Sequence, residues 1–164
     1  MLAQGLTIRA TRASDIAAVD ALLAQSYPAL LKANYPPSVL VTALPIISRA
    51  RPELVTCGTY YLAETSARAV VGAGGWTPRR NRPGEAEIRH VVTHHRHARQ
   101  GIGRAIFDRI FADASRAGMT SYHCLATRTA VPFYQALGFA VLGPVDVLLA
   151  PGIGFPAIEM RKAD

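Results

Sequence analysis

The sequence predicts a mixed α/β sheet formed by one domain over residues 1–164. Two observations carry this reading. Short β-prone segments alternate with longer segments of helical periodicity, and Gly-, Pro- or Ser-bearing stretches separate them. At 164 residues, 50% of them apolar and 18% charged, the chain is also long and apolar enough to bury one sizeable core.

Taken in order, LTIRAT (6–11) alternates weakly and suits a first strand. Ser14 or Asp15 can cap a helix over residues 15–27, where Ile16, Val19, Leu22 and Leu23 recur near helical spacing. Pro28, Pro36 and Pro37 break the chain beyond it, and residues 37–50 read as a second helix interrupted at Pro45. Residues 60–64 and 69–73 flank the polar turn 65–68 as a β-hairpin. The loop TPRRNRPGE then leads into AEIRHVVT (86–93), a strand by its Ile88, Val91 and Val92. From Gly103 the chain turns helical, with Ile106, Phe107, Ile110, Phe111 and Ala114 in one stripe and Gly118 as terminator. SYHCLAT is the next strand, and AVPFYQAL a short helix closed by Gly138. FAVLGPVDVLLA and FPAIEMRK complete the sheet.

Composition narrows the function. No segment reaches the ~18 uninterrupted apolar residues of a membrane span, and MLAQGLTIRATRAS lacks the features of a secretory signal. A cytoplasmic protein is expected, with Cys57 and Cys124 as buried thiols and no disulfide. The net charge of +7 and pI near 10 suggest an anionic partner, and the excess concentrates between Arg79 and Arg109.

That excess surrounds HHRHARQGIGRAIF (94–107). His94, His95 and His97 have no carboxylate or Cys among them, so no metal site is expected. The turn between strand and helix carries more information. A helix N-terminus presents unpaired N–H groups and partial positive charge, and Gly101 and Gly103 would let a ligand approach the backbone. Such a turn can hold a phosphate or pyrophosphate, with Arg99 and Arg104 adding charge-assisted bonds. Arg104-Ala105 stands where a P-loop needs Lys-Ser/Thr, and Ile106 where a dinucleotide fingerprint needs its third glycine.

Ala98-Arg-Gln-Gly-Ile-Gly103 resembles the Gln/Arg-x-x-Gly-x-Gly/Ala motif of GNAT-family N-acetyltransferases, with Ala98 in the Gln/Arg slot. TRTAVPFYQALGF (127–139) resembles a second motif of that family. Ala130, Tyr134, Gly138 and Phe139 fall in register, and Thr127 replaces the common Asn. The resemblance implies the acyl-CoA N-acyltransferase fold, a mostly antiparallel sheet splayed at the cofactor site and flanked by about four helices. It implies acetyl-CoA as co-substrate, no metal, and direct transfer of the acetyl group to a primary amine of a small molecule or protein.

Carried over residue by residue, the resemblance assigns the pantetheine arm to the backbone of Val91, Val92 and Thr93. The pyrophosphate falls to Arg99, Gln100, Gly101, Ile102, Gly103 and Arg104, with Thr127 beside the cofactor. Tyr134 becomes the acid that protonates the leaving thiolate, and Glu87 the base for the amine. Glu85, His90 and ordered water are alternatives for the base, and Glu87 could instead pair with Arg89 along the strand. Glu85 and Glu87 near the cleft would favour a cationic amine. His123 reads as a packed or hydrogen-bonded core residue, Trp76 as either a core or an acceptor-side aromatic, and residues 150–160 as an acceptor loop or a turn. A homodimer is common in the family. Two other readings stay open: a basic nucleic-acid-binding module, for which few aromatics interleave the arginines, and a catalytically silent CoA-sensing domain.

Overall fold

The computed structural model describes residues 5–97 and 99–163. Ala98, in the Gln/Arg slot of the turn, lies outside the described residues, as do residues 1–4 and 164. The chain runs β1 (Thr7–Ala10), α1 (Ile16–Leu31), α2 (Pro37–Ile47), α3 (Pro52–Val55), β2 (Tyr60–Glu64), β3 (Val70–Pro78) and β4 (Glu85–Thr93). It continues through α4 (Ile102–Arg116), β5 (Ser121–Ala126), α5 (Val131–Ala136), β6 (Ala140–Ala150) and β7 (Ile153–Ala163). Among the described residues the strands form one sheet in the order β1-β2-β3-β4-β5-β7-β6.

Every pairing in that sheet is antiparallel except β4 with β5. These two pair only over Glu85–Ser121, Ala86–Tyr122 and Glu87–His123, and beyond that register they part. The expected splay is therefore present, and it leaves the C-terminal half of β4 with backbone groups free toward β5. A β-bulge reinforces the opening: between Ala73–Val92 and Gly75–Arg89, one residue of β3 faces two of β4. His90, in the bulge, has φ 47°, and its carbonyl accepts a 2.9 Å hydrogen bond from the Tyr60 hydroxyl. Ile88 packs beneath α4 whereas Val92 packs beneath α1. Residues four apart on a regular strand share a face, so the bulge is what turns Val92 over.

The core lies in two layers. Beneath α4 and α5 are Ile102, Ile106, Phe107 and Ile110 with Tyr122, Cys124 and Met160 of the sheet. Beneath α1 and α2 are Val19, Leu22, Leu23, Leu31 and Leu40 with Tyr60, Val92, Phe155 and Ala157. The run Gly72-Ala-Gly-Gly75 lets these layers close: a Cβ on Gly72 would come 2.7 Å from Ile102, and one on Gly74 2.8 Å from Val91.

Three local expectations change and one open alternative closes. Pro28 does not end the first helix, which runs on to Leu31; the proline is exposed and costs one donor, while Leu31 beyond it is buried. The second helix likewise passes Pro45 to Ile47. Cys57 is exposed beside a turn, and only Cys124 is a buried thiol; both are free. Trp76 belongs to the core beneath α4, its indole N–H 3.3 Å from the Tyr61 hydroxyl, and not to the acceptor side. Among the described residues no helix is long and apolar enough to cross a membrane.

Candidate active site

A cleft of about 690 Å³ lies where β4 parts from β5, between the N-terminal end of α4 and α5. Val91, Val92, Thr93, Arg99, Gly101, Ile102, Gly103, Arg104, Thr127 and Tyr134 all line it. The sequence had scattered these residues over two motifs and a strand, and the fold brings them to one wall. Gln100 does not line the cleft; its Oε1 lies 3.4 Å from Nδ1 of His97.

The turn leading into α4 is left-handed at two residues, Arg99 at φ 63° and Gly101 at φ 80°. Gly101 caps the helix, and its carbonyl accepts from Ala105 N at 3.0 Å. The two motif glycines have different reasons. A Cβ on Gly101 would meet nothing within 4 Å, so this position faces open space and can let an anion reach the N–H groups of the first turn. A Cβ on Gly103 would lie 2.9 Å from the Phe133 ring. Gly103 is thus also small so that α4 can pack against α5, a packing reason beside its place in the cleft lining. Gly103→Ala is expected to destabilise the fold by about 1–3 kcal/mol through overpacking, read in a urea melt.

His94 and His95 stack at 4.7 Å and His97 meets His94 edge-on at 5.4 Å, so the histidines form a ring cluster beside the turn. Of the three only His97 reaches the cleft.

Tyr134 is held by its neighbours. Its ring meets Phe107, Phe133 and Phe139 edge-on at 5.6, 5.5 and 5.3 Å, contacts that fix an aromatic in place. Burial pushes its phenol well above the ordinary value of 10, so it stays protonated at neutral pH and can donate a proton. Thr127 accepts from Ala130 N at 3.3 Å and so caps the turn that presents Tyr134.

A second cavity of about 160 Å³ adjoins the cleft and shares Tyr27, Val91, Thr127, Ala130 and Tyr134 with it. Residues of β6 and β7, Val147, Leu149 and Phe155 among them, close it, so the segment 150–160 is in part wall and in part the tight turn between those strands. Sequence reasoning missed Tyr27 and Tyr35 here. Tyr27 is buried and lines both spaces. The Tyr35 hydroxyl donates to Pro156 O at 2.7 Å and accepts from Arg128 N at 2.8 Å, joining the end of α1 to β7 and to the turn before α5. A tyrosine between prolines in a predicted break gave no sign of such a link.

The acidic residues of β4 lie elsewhere. Glu87, expected as base, lines neither cavity; its Oε1 is 2.6 Å from His123 Nδ1 and 3.5 Å from Arg79 Nε. His123 Nε2 lies 2.7 Å from Glu159, so the buried imidazole bridges two carboxylates. Hydrogen bonding to Glu87 raises its pKa against the opposing effect of burial, and Glu159 adds to the rise. Glu85 is almost wholly buried and takes bonds from Arg79, Arg161 and Ser121. Arg89 bonds Thr77 and not Glu87. Arg109 bonds Asp113 and the Ile8 carbonyl and covers the Tyr61 ring. Arg79, Arg89 and Arg109 of the basic stretch are thus each paired within the chain while staying partly exposed.

Residues 56–141 match the family model described as the acetyltransferase (GNAT) domain. An uncharacterized N-acetyltransferase of Bacillus subtilis (strain 168), YjcF, is 30% identical over 92 residues, which cover 56% of this chain and 61% of that relative. Among solved structures, the PaiA N-acetyltransferase of Thermoplasma acidophilum in complex with coenzyme A superposes with a TM-score of 0.75 at 13% identity, covering 97% of this chain and 99% of that one. A GCN5-related N-acetyltransferase of Rhodopseudomonas palustris does so with a TM-score of 0.77 at 16% identity, over 100% and 99%. YncA of Salmonella typhimurium, solved with acetyl-CoA, gives 0.65 at 18% identity, over 98% and 94%.

Proposed function

The chain belongs to the GNAT family of acetyltransferases, and from that premise we propose that it moves an acetyl group from acetyl-CoA directly to a primary amine. The observation that carries this reading is one wall on which an open left-handed glycine at the start of α4, the freed edge of β4 and the protonated phenol of Tyr134 meet. The residues present fit the co-substrate. Gly101 leaves room above the first turn of α4, Arg99 and Arg104 supply charge for the pyrophosphate, and Val91, Val92 and Thr93 offer backbone groups along the arm. Coenzyme A in the PaiA structure and acetyl-CoA in the YncA structure support the same ligand here.

The chemistry needs a polarised carbonyl and a proton for the leaving thiolate. An N–H of β4 beyond the bulge can stabilise the developing oxyanion. Tyr134 can then donate its proton to sulfur as the C–S bond breaks. The edge strand β6 exposes Val141, Leu142 and Leu148 at 46%, 57% and 73%; such an apolar edge supports a homodimer, which sedimentation would detect. A nucleic-acid-binding role is disfavoured by the internal bonds of Arg79, Arg89 and Arg109.

The test is to mix the protein with acetyl-CoA and an amine panel, following free thiol and the mass of the amine. Thiol release with a matching acetylated amine is expected. Binding of acetyl-CoA with no turnover of any amine would favour the silent, sensing domain.

A further inference from the structure

We propose that the acceptor is an amine with a compact apolar body and a single basic centre, and that it gives its proton to His90. This rests on the acetyl-transfer reading and names the substrate class of that site. The smaller cavity opens onto the cleft beside Tyr134, where an attacking amine must sit. Its other walls include Ile47 of α2, Leu125 of β5, Val147 and Leu149 of β6, and Phe155 of β7. Among the described residues no carboxylate, Lys or Arg lines it.

The carboxylates on that side of the sheet are committed. Glu87 and Glu159 hold His123, and Glu85 is held by Arg79 and Arg161. The charges that act on His90 are those of Arg51 and Arg89, both positive. A diamine or polyamine would therefore lose the hydration of a second ammonium placed in the cavity with nothing there to pair it, and the positive charges that reach His90 would repel it. An apolar body gains instead from burial, at about 25 cal/mol per Å². Size agrees: this space of about 160 Å³, open toward the cleft, is on the scale that takes a benzene-sized group. This reading departs from the cationic acceptor that Glu85 and Glu87 suggested in the sequence, because both carboxylates are paired within the fold.

His90 is the one nitrogen base in the lining among the described residues. The other titratable groups there, Tyr27, Tyr134 and Cys124, are raised by burial and stay protonated. Burial, then Arg51 and Arg89, lower His90 to about 4, so its imidazole is neutral and has a free acceptor nitrogen at physiological pH. So weak a base cannot strip a free ammonium. It does not need to, because a largely apolar pocket admits the neutral amine, and the nitrogen becomes strongly acidic as the C–S bond breaks and the amide forms. The C–N bond forms from the amine lone pair, and the surplus N–H proton passes to His90. The C–S bond breaks with its electron pair on sulfur, and the Tyr134 proton goes to that sulfur. His90 returns its proton to the Tyr134 oxygen through water, so amide and thiol are the only net products.

The experiment compares 2-phenylethylamine with spermidine by thiol release at fixed acetyl-CoA, in wild type, His90→Asn and Leu149→Glu. Asparagine tolerates the positive φ of position 90, so His90→Asn removes the base without straining the bulge. In wild type, kcat/KM for phenylethylamine is expected to exceed that for spermidine by about 100-fold, the scale of one unpaired charge. His90→Asn should lower kcat about 100-fold with acetyl-CoA affinity unchanged, and Leu149→Glu should narrow or reverse the preference. Equal or better use of spermidine by wild type, an undiminished kcat in His90→Asn, or acetylation of neither amine by a protein that binds acetyl-CoA would each overturn the proposal. Failure to bind acetyl-CoA would instead sink the transferase reading beneath it.

Discussion

Replacing Tyr134 by phenylalanine is expected to lower kcat by about 10²- to 10⁴-fold, the range of a lost general acid, with little change in stability or in acetyl-CoA affinity. The separation of effects comes from how the residue is held. Phe107, Phe133 and Phe139 grip the ring, and a phenylalanine keeps all three edge-on contacts. No hydrogen bond from the hydroxyl to a described residue is present to be lost. What disappears is the proton for the thiolate. Because burial raises the Tyr134 phenol well above 10, the wild-type rate should not fall from its ionisation as pH rises through 9 or 10. Stopped-flow thiol release, with a thermal melt and a titration of acetyl-CoA on both proteins, checks this. A variant with full kcat would mean that another group supplies the proton.

Removing the carboxylate of Glu85 is expected to cost the fold about 3–5 kcal/mol, because breaking a buried pair strands its partners. The lower end is expected, since solvent reaches both Arg79 and Arg161. Glu85→Ala should then lower Tm by on the order of 10 °C, as seen by calorimetry. The same group sets an acid limit. Burial alone would raise its pKa, but bonds from Arg161, Arg79 and Ser121 outweigh that and hold it at about 2, against 4.5 when free. Its folded pKa is depressed, so its contribution, about 3 kcal/mol, is fully present above pH 5 and lost as pH falls toward 2. His123 works in the opposite sense. Its pKa is raised, so its contribution is full below the ordinary 6.5 and is lost as pH climbs through the raised value. Stability should be greatest between the two.

Much of the candidate site's lining was legible because it is local. Arg99, Gly101, Arg104 and Tyr134 lie in two short motifs, and a strand, turn and helix in succession present them wherever they fold. The separate reasons for Gly101 and Gly103 were not legible, since only the packing of α4 on Phe133 of α5 tells them apart. Pro28 reads as a break because propensity carries no information on the burial of Leu31 beyond it. Glu87 sits on the expected strand, but its partner His123 is 36 residues away on β5, and Glu159 another 36 beyond that. The smaller cavity was hidden for the same reason: α2, β5, β6 and β7 each supply part of a wall that exists only in three dimensions.

The central claim is that the wall around Gly101 holds acetyl-CoA, and calorimetric titration of acetyl-CoA into wild type and Gly101→Val tests it most directly. Valine at φ 80° is strained by about 1–2 kcal/mol and places a branched side chain where the ligand must approach. Saturable one-to-one binding by wild type is expected, weakened at least about tenfold in the variant. No binding by wild type at millimolar acetyl-CoA, or equal binding by both proteins, would contradict the assignment of this wall.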